Sequence, residues 1–337
     1  MHMADALISP VVGGVMWAVS AGAASYAARR QLKNELNEKK APLMGVLGAF
    51  IFAAQMINFT IPGTGSSGHL VGGLLLSILM GPHAAFLTII SILTVQALFF
   101  ADGGLLALGC NIINMGFFPC YFAYPLLYKP LAGDMPGKMR LTAAAVVASV
   151  VGLQLGAFSV VLETTSSGIT ALPFATFVLL MLPIHLGIGA IEGLITAAVI
   201  CFIRQEAPAL LDNRPVFGKK VLLGFLTAAI LVSGVLSWAA STNPDGLEWS
   251  VAALTGEEEL TAAGTTHAFF ADLQKKIAVF PDYNFKEDAA EPQDVAPFKS
   301  AWPAVDAGSS VAGVTGALIT LLLVFGAGKA VQFAAKH

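Results

Sequence analysis

The first two residues of the chain carry three nitrogen atoms that can close chelate rings around one metal ion. These are the α-amine of Met1, the main-chain nitrogen of His2 once it is deprotonated, and a nitrogen of the His2 ring. Together they form fused five- and six-membered rings in one plane. One further imidazole would complete a square-planar site, a geometry typical of Ni(II) and Cu(II). Taken alone, a Met-His start is a weak signal, because many chains begin this way by chance.

A second candidate ligand, His69, ends a glycine-rich loop that begins at Asn58 and contains Ser67. The Gly and Pro residues of this loop predict an irregular backbone, which is tolerated at membrane depth only where it lines a cavity or is buried in protein. A histidine at a helix start is ordinarily a structural hydrogen-bonding residue. The exposed His2 on the same face makes His69 a candidate ligand, with Asn58 and Ser67 as candidates for a supporting or pathway role.

Three further polar residues lie at or inside apolar stretches. Asp102 ends one such stretch, and Asn111 and Asn114 are three residues apart, hence on one face of a helix. The two asparagines could orient a metal ligand from behind. They could equally serve as hydrogen-bonding contacts between helices, which is the more common role.

His185 and Glu192 form the last candidate pair. They are seven residues apart in a long apolar stretch and therefore share a helix face near the middle of the membrane. Ionisable residues at such depth indicate a functional site by default. The alternatives are a proton relay, a metal pathway, or a buried polar lock beside Gly187 and Gly189.

The composition of the chain indicates which kind of protein must position these residues. The 337 residues are 56% hydrophobic and 12% charged, with a mean hydropathy of +0.76, whereas soluble domains are about 25% charged. This excludes a cytosolic enzyme, a nucleic-acid binder and a disordered chain, and the net charge of -3 suggests no polyanionic partner. Neither a phosphate-binding loop for ATP hydrolysis nor an H-E-x-x-H metalloprotease motif occurs. We predict a non-enzymatic polytopic protein of the lipid bilayer.

A membrane core about 30 Å thick requires about 20 apolar helical residues. Apolar runs between charged clusters predict an all-α fold with about nine transmembrane helices. They lie near 10–28, 43–61, 69–81, 84–100, 105–128, 141–162, 173–203, 221–240 and 309–328.

Lys and Arg cluster after the first, fifth, seventh and ninth predicted spans, which places the N-terminus outside and the C-terminus inside. The first span has its positive residues after the apolar run, so we expect no cleaved signal peptide and a mature chain that starts at Met1. The predicted organisation is a seven-helix core at 1–203, a basic cytoplasmic linker at 204–220 and a two-helix segment at 221–337. An acidic external loop at 241–308 joins the last two helices.

Four stretches of this sequence resemble the CbiM/NikM family. They are the opening MHMADALISP, the loop from Asn58 to Gly73, the stretch from Asp102 to Met115 and the stretch from His185 to Gly193. In addition, NPDGLEW at 243–249 and PDYNF at 281–285 resemble the small two-span companion subunit of nickel systems, fused here to the C-terminus.

This resemblance implies a substrate-capture component of an energy-coupling-factor importer in a bacterial or archaeal plasma membrane. The metal would bind from outside to the Met1 amine, the main-chain and ring nitrogens of His2, and the His69 ring. A separate transmembrane coupling subunit and cytoplasmic ATPases would supply the energy, and no organic cofactor is expected. The expected substrate is Ni(II).

Three alternatives remain open at this point. The same machine could carry Co(II), because nitrogen ligation does not fully separate the two ions. A secondary transporter would use His185 and Glu192 as a proton relay. A metal sensor or assembly scaffold would bind metal without accumulating it in cells.

Overall fold

The computed structural model describes residues 1–33, 40–134, 136–206, 219–257, 260–262, 264–286 and 303–336. Most of the predicted basic linker at 204–220, and part of the predicted external segment at 241–308, lie outside the described residues.

The fold is predominantly helical. The helices are α1 (Pro10–Lys33), α2 (Lys40–Gln55), α3 (Gly73–Met80), α4 (Pro82–Val95), α5 (Leu108–Asn111), α6 (Lys129–Ala132), α7 (Lys138–Ser167), α8 (Phe174–Glu206), α9 (Lys219–Gly234), α10 (Gly246–Thr255), α11 (Thr265–Ile277) and α12 (Ala307–Lys336). Wider, π-type turns continue α4 over Gln96–Phe100 and join α5 to α6 over Ile112–Tyr128. Short 3-10 turns cover Asp5–Leu7, Leu236–Ala239 and Pro281–Tyr283.

Local sequence explains where the first helix begins. Ser9 precedes α1, and its hydroxyl accepts a hydrogen bond from the Val12 amide (3.3 Å), as an N-terminal cap does. Pro10 occupies the first helical position, where its missing N–H costs nothing. The nine residues before α1 are thereby separated from it, and they form part of the candidate site.

Five helices among the described residues are long and apolar enough to cross a membrane. They are Pro10–Gln31, Pro82–Phe100, Lys138–Ser167, Phe174–Glu206 and Ala307–Phe333. The chain is therefore a multi-pass membrane protein. Nine spans, an outside N-terminus and an inside C-terminus stay predictions.

The third predicted span, 69–81, is not a continuous helix. Only the eight residues of α3 are helical there, and they rise about 12 Å, less than half of the membrane core. The loop before α3 explains why this stretch is not one helix. Its residues Val71 and Gly72 lie beside Glu192, which is about 27 Å from the start of α8. The chain thus reaches this depth in extended form, with Gly68, Leu70 and Val71 buried, before the helix begins.

The structure adds two details to the predicted helical fold. Strands β1 (Phe59–Ile61) and β2 (Ser66–Gly68) pair antiparallel in the loop before His69. The predicted external loop at 241–308 contains helices α10 and α11. Asp245 starts α10 with a capping box, in which its side chain accepts from main-chain amides while Glu248 bonds back to the Asp245 amide.

The two C-terminal helices pack directly on the core. Helix α12 lies mainly along α2 and also contacts α4 and α9, and α9 contacts α2. Helix α10 packs on α8 and on β2, while α11 contacts the turn at Asp5–Leu7. The C-terminal third of the chain thus covers the N-terminal residues and the His69 loop.

Helices α7 and α8 pack closely against each other, and glycines on α8 permit it. A Cβ at Gly193 would lie 2.4 Å from the Val146 Cα, and one at Gly189 would lie 2.8 Å from the Val150 Cα. Gly187 differs, because a Cβ there would meet only Ile61, at 3.5 Å. Close approach of backbones through small residues is the usual way in which membrane helices associate.

We expect Gly193→Ala to lower the stability of the protein by about 1–3 kcal/mol, because the added methyl meets backbone that cannot move aside. Gly187→Ala is the matched control on the same helix. It should be neutral or stabilising by up to about 1 kcal/mol, because alanine favours the helix. Thermal unfolding in detergent measures both variants, and equal midpoints would contradict the packing argument.

Candidate metal centre

The N-terminal residues enter the protein as a buried extended segment. Met1 is 5% exposed and Met3 is fully buried. The side chain of Asn111 holds the Met3 backbone from both sides, accepting from its amide (2.8 Å) and donating to its carbonyl (3.2 Å). The Gly104 amide donates to the same carbonyl (2.9 Å). Asn111 is therefore a positioning residue for the N-terminus, as the sequence allowed.

Asn114 supports the same segment from one helical turn further along. Its side-chain nitrogen lies 3.5 Å from the Met3 sulfur and donates to Glu163 Oε2 at 2.7 Å. Glu163 is a buried carboxylate near the C-terminal end of α7, and it was not among the predicted site residues. The predicted sixth span ended at residue 162, so the sequence pattern left this carboxylate just outside the membrane-spanning residues.

The amine of Met1 contacts the Oδ2 atom of Asp245 as a buried ion pair. The other carboxylate oxygen, Oδ1, accepts from the amides of Leu247 (2.7 Å) and Glu248 (3.0 Å) at the start of α10. Burial by itself raises the pKa of Asp245, but the N-terminal ammonium outweighs that effect, so the pKa lies below its ordinary value. The stretch at 243–249 stands out in the sequence, but Asp245 was not among the predicted site residues.

The His2 ring lies between oxygen atoms and the ring of His69. Its Nδ1 is 3.1 Å from Asp102 Oδ1, its Nε2 is 3.1 Å from Gln96 Oε1, and its centroid is 5.2 Å from that of His69 in a stacked arrangement. Burial lowers the pKa of His2, although the Asp102 carboxylate acts in the opposite direction. Met1, His2, His69 and Asp102 are thus brought together.

Two glutamines connect His2 to the His69 loop. Gln55 Nε2 donates to the Val71 carbonyl (2.9 Å), and Gln96 Nε2 donates to Gln55 Oε1 (2.8 Å). Because the Val71 carbonyl can only accept, Gln55 donates to it through Nε2 and accepts from Gln96 Nε2 through Oε1. Gln96 Oε1 must therefore accept from His2 Nε2–H. A neutral His2 ring therefore carries its lone pair on Nδ1, facing Asp102.

The His69 loop is anchored from two directions. Glu192 accepts from the Val71 amide (3.0 Å) and from the Gly72 amide (3.1 Å) with its two carboxylate oxygens. On the side of the C-terminal segment, the Ser67 amide donates to the Pro244 carbonyl (2.8 Å) and its hydroxyl to the Asn243 carbonyl (2.8 Å). Glu192 and Ser67 therefore both hold the loop in place, and Ser67 does so through its contacts with the C-terminal segment.

The His69 ring has a defined orientation. Its Nδ1 lies 3.1 Å from the Leu70 carbonyl, which can only accept. A neutral ring with Nδ1–H therefore has its lone pair on Nε2. The side chain is 8% exposed, so this nitrogen is available to a small ligand in a largely dry environment.

The remaining candidates lie near the site without joining its centre. Asn58 lines a cavity next to the two histidines, which is described below, and the Asn58 carbonyl accepts from the Ser241 amide at 2.7 Å. His185 is buried in α8, and its Nδ1 donates to the Met181 carbonyl at 2.7 Å. His185 and Glu192 therefore bond to main-chain groups, and no hydrogen bond among the described residues joins them to each other.

A cavity of about 490 Å³ lies between the core and the C-terminal segment. Its lining includes His2, His69 and the carboxylates of Asp102, Asp245 and Glu248. The C-terminal segment also supplies Tyr283, whose hydroxyl donates to Asp102 Oδ2 and whose ring stacks on Phe100. A cavity with this lining attracts cations.

The arrangement is suited to a cation bound through main-chain and ring nitrogens. Within the described ranges, no three side chains of His, Cys, Asp or Glu converge on one point. In this structure the Met1 amine faces Asp245 and the His2 Nδ1 faces Asp102. A metal bound to these nitrogens would lie beside both carboxylates, and its binding would release protons, because metal ligands must be deprotonated.

Comparison with known proteins adds two family matches. The model of the cobalt uptake substrate-specific transmembrane region, CbiM, matches residues 2–210, and the model of the PDGLE domain matches residues 219–333. Together they extend over both the predicted capture core and the predicted C-terminal segment.

Similar proteins include the putative fused nickel transport protein NikMN of Archaeoglobus fulgidus, which is 31% identical over 96% of this chain and 97% of its own. The probable fused nickel transport protein LarMN of Lactiplantibacillus plantarum is 31% identical over 74% of this chain and 78% of its own. A crystal structure of a truncated transition metal transporter is 28% identical, with a TM-score of 0.53 over 61% of this chain and 99% of that one. The chain belongs to the CbiM/NikM family and carries a NikN-like PDGLE domain fused to its C-terminus.

Proposed function

We propose that this chain is the metal-binding subunit of an ATP-driven energy-coupling-factor importer that captures Ni(II) from outside the cell. One observation carries the proposal: the Met1 amine and the rings of His2 and His69 are buried together at the base of an acidic cavity. The nickel transport names of the fused relatives support the choice of metal.

The proposed ligands are the Met1 amine, the His2 main-chain nitrogen, His2 Nδ1 and His69 Nε2. The hydrogen bonds of the site support both ring assignments. The glutamine chain leaves the lone pair of a neutral His2 ring on Nδ1, which is the atom that closes the six-membered chelate ring. Because the Leu70 carbonyl accepts from Nδ1–H, the lone pair of a neutral His69 ring is on Nε2. Four nitrogen donors suit Ni(II), whereas Mg²⁺ and Ca²⁺ prefer oxygen.

The proposal includes the partners and the location. A transmembrane coupling subunit and cytoplasmic ATPases would power uptake across a bacterial or archaeal plasma membrane, with the N-terminus outside. The proton-coupled alternative depended on His185 and Glu192 as a relay. Glu192 instead accepts two amide bonds from the His69 loop, which favours a positioning role.

Extending the N-terminus by four glycines, which moves the new free amine too far from His2 to chelate the same ion with it, should abolish tight nickel binding. The extension replaces the free amine by an amide and leaves every side chain in place. We expect the affinity to fall by more than about 100-fold, because loss of supporting contacts alone costs about 10–100-fold. Isothermal titration of the purified full chain measures this.

A protease-cleavable extension, whose removal restores the Met1 amine, is the control for this experiment and should recover binding. Equal affinities of the extended and native forms would place the metal elsewhere and overturn the proposal.

Nickel should occupy most of the sites when Ni(II) and Co(II) compete at equal concentration. A planar nitrogen set favours Ni(II), which also stands above Co(II) in the general order of complex stability. Metal analysis of the protein after desalting gives the ratio. If cobalt prevails, the same importer is assigned to Co(II) instead.

Gln96→Met should weaken nickel binding about 10–100-fold without removing a ligand. Loss of a residue that hydrogen-bonds a metal-binding histidine typically has an effect of this size. The variant leaves His2 Nε2 without its acceptor and breaks the connection to Gln55. Gln154→Met is the matched control, since Gln154 donates to the Leu182 carbonyl (2.7 Å). Titration should show wild-type affinity for the control, and equal losses in both variants would refute the positioning role.

A further inference from the structure

A second cavity, of about 170 Å³, lies where helices α1, α2 and α4 of the core meet helix α12 of the C-terminal segment. It shares no lining residue with the cavity beside the two histidines. Its lining is mostly aliphatic, and Val324 and Val331 are seven residues apart, so the cavity extends about 10 Å along α12. Ala327 between them is exposed, so the cavity opens at the surface of the protein.

The helices around this cavity face the bilayer. Helices α1, α4 and α12 are each long and apolar enough to cross a membrane. Only 17% of the α1 span is buried inside the protein, against 67% of the α4 span. Bilayer lipid therefore has access to the gap between α1 and α12.

One polar group of the cavity lacks a partner. Gln31 of α1 is 2% exposed, and its Nε2 has no hydrogen-bond partner within the described ranges. The other polar lining residue, Ser91, already donates to the Leu87 carbonyl (3.0 Å). A buried water typically makes about three hydrogen bonds, whereas apolar cavities of about 150 Å³ stay dry and take up apolar molecules. The cavity therefore suits an apolar chain that carries an acceptor for Gln31.

Three basic residues, Arg30, Lys40 and His83, lie next to the lining of this cavity. Lys40 is one helical turn before the lining residue Met44, and His83 is one turn before the lining residue Leu87. Arg30 and Lys40 both lie near the His83 ring. None of the three belongs to an ion pair in the part of the chain that the structure describes. This basic cluster is therefore free to bind an anionic group.

We propose that an anionic phospholipid occupies this site, with an acyl chain in the cavity and its phosphate at the basic cluster. The amide of Gln31 donates to the ester carbonyl that joins the two parts. Basic pockets between membrane-spanning helices are suited to such head groups. The lipid contacts helices of both family regions, so it joins the PDGLE domain to the core. This inference does not depend on the proposed function, because the two sites share no residue.

The experiment is native mass spectrometry of the full chain, which is delipidated in detergent and then mixed with phosphatidylglycerol. Phosphatidylcholine with the same acyl chains is the comparison, because its head group has no net charge. We expect one phosphatidylglycerol per chain to bind at least about 5-fold more tightly than phosphatidylcholine, since each basic residue near an anionic lipid contributes about that factor.

Ala327→Phe should weaken phosphatidylglycerol binding by about 10-fold or more, because the ring occupies the space of the acyl chain. Ala330→Phe is the matched control, since Ala330 is also exposed on α12 but does not line the cavity. Ala24→Leu fills the cavity from α1 and serves if the first variant does not fold. Thermal unfolding of the lipid-free proteins shows which variants are folded.

Lys40→Gln should weaken binding of phosphatidylglycerol about 5-fold and leave that of phosphatidylcholine unchanged. Lys220→Gln is its control, because Lys220 is exposed in the first turn of α9 and does not line the cavity.

Gln31→Leu should raise the thermal stability of the lipid-free protein, because a buried amide without a partner is costly. Added phosphatidylglycerol should then stabilise this variant less than wild type.

Two results would overturn the proposal. Equal phosphatidylglycerol affinities of wild type and a folded cavity-filling variant would show that lipid binds only to the general apolar surface. Equal affinities of wild type for the two lipids would show that the basic cluster does not bind the phosphate. Nickel titration of Ala327→Phe should give wild-type affinity, so neither result bears on the proposed function.

Discussion

Burial of the charged N-terminus is the constraint on which the rest of the site depends. An ammonium group removed from water is costly unless it is paired and hydrogen-bonded, and Met1 is 5% exposed. Its partner, Asp245, comes from the far end of the chain. The same carboxylate caps α10 through Leu247 and Glu248, so folding of α10 and placement of the amine depend on one side chain.

This arrangement explains why the C-terminal segment lies over the core. Three consecutive residues, Asn243 to Asp245, contact both chain segments that carry candidate ligands. Asn243 and Pro244 bind Ser67 near His69, and Asp245 binds Met1. The turn at Asn243 to Asp245 therefore fixes the position of the N-terminal residues relative to the His69 loop, although it belongs to neither segment. If the proposed function is correct, the fused PDGLE domain shapes the metal site directly rather than serving only as an additional membrane anchor.

The sequence singled out three residues that the structure brings together, but it did not reveal the residues that connect them. Met1, His2 and His69 stood out because a chelating start and a loop histidine are unusual local patterns, and the structure places them together. Gln55, Gln96 and Asp245 gave no such signal, since their roles depend on contacts across 16 to 244 residues of chain. The third predicted span was wrong for a related reason, because hydropathy does not reveal that Glu192 holds the loop at depth in extended form.

The charges of the site suggest how it can accept a metal with little rearrangement. The carboxylates of Asp245 and Asp102 each face a nitrogen that the proposed ion would use. In the metal-free protein, the Met1 ammonium compensates the Asp245 carboxylate. Metal binding replaces the ammonium proton by a divalent cation, so both carboxylates lie close to positive charge. The glutamine chain and the Glu192 contacts hold the rings in the meantime, and such pre-organisation reduces the cost of binding. The site then needs no cluster of acidic ligands, because the carboxylates of Asp245 and Asp102 directly contact the nitrogens that the N-terminal residues provide.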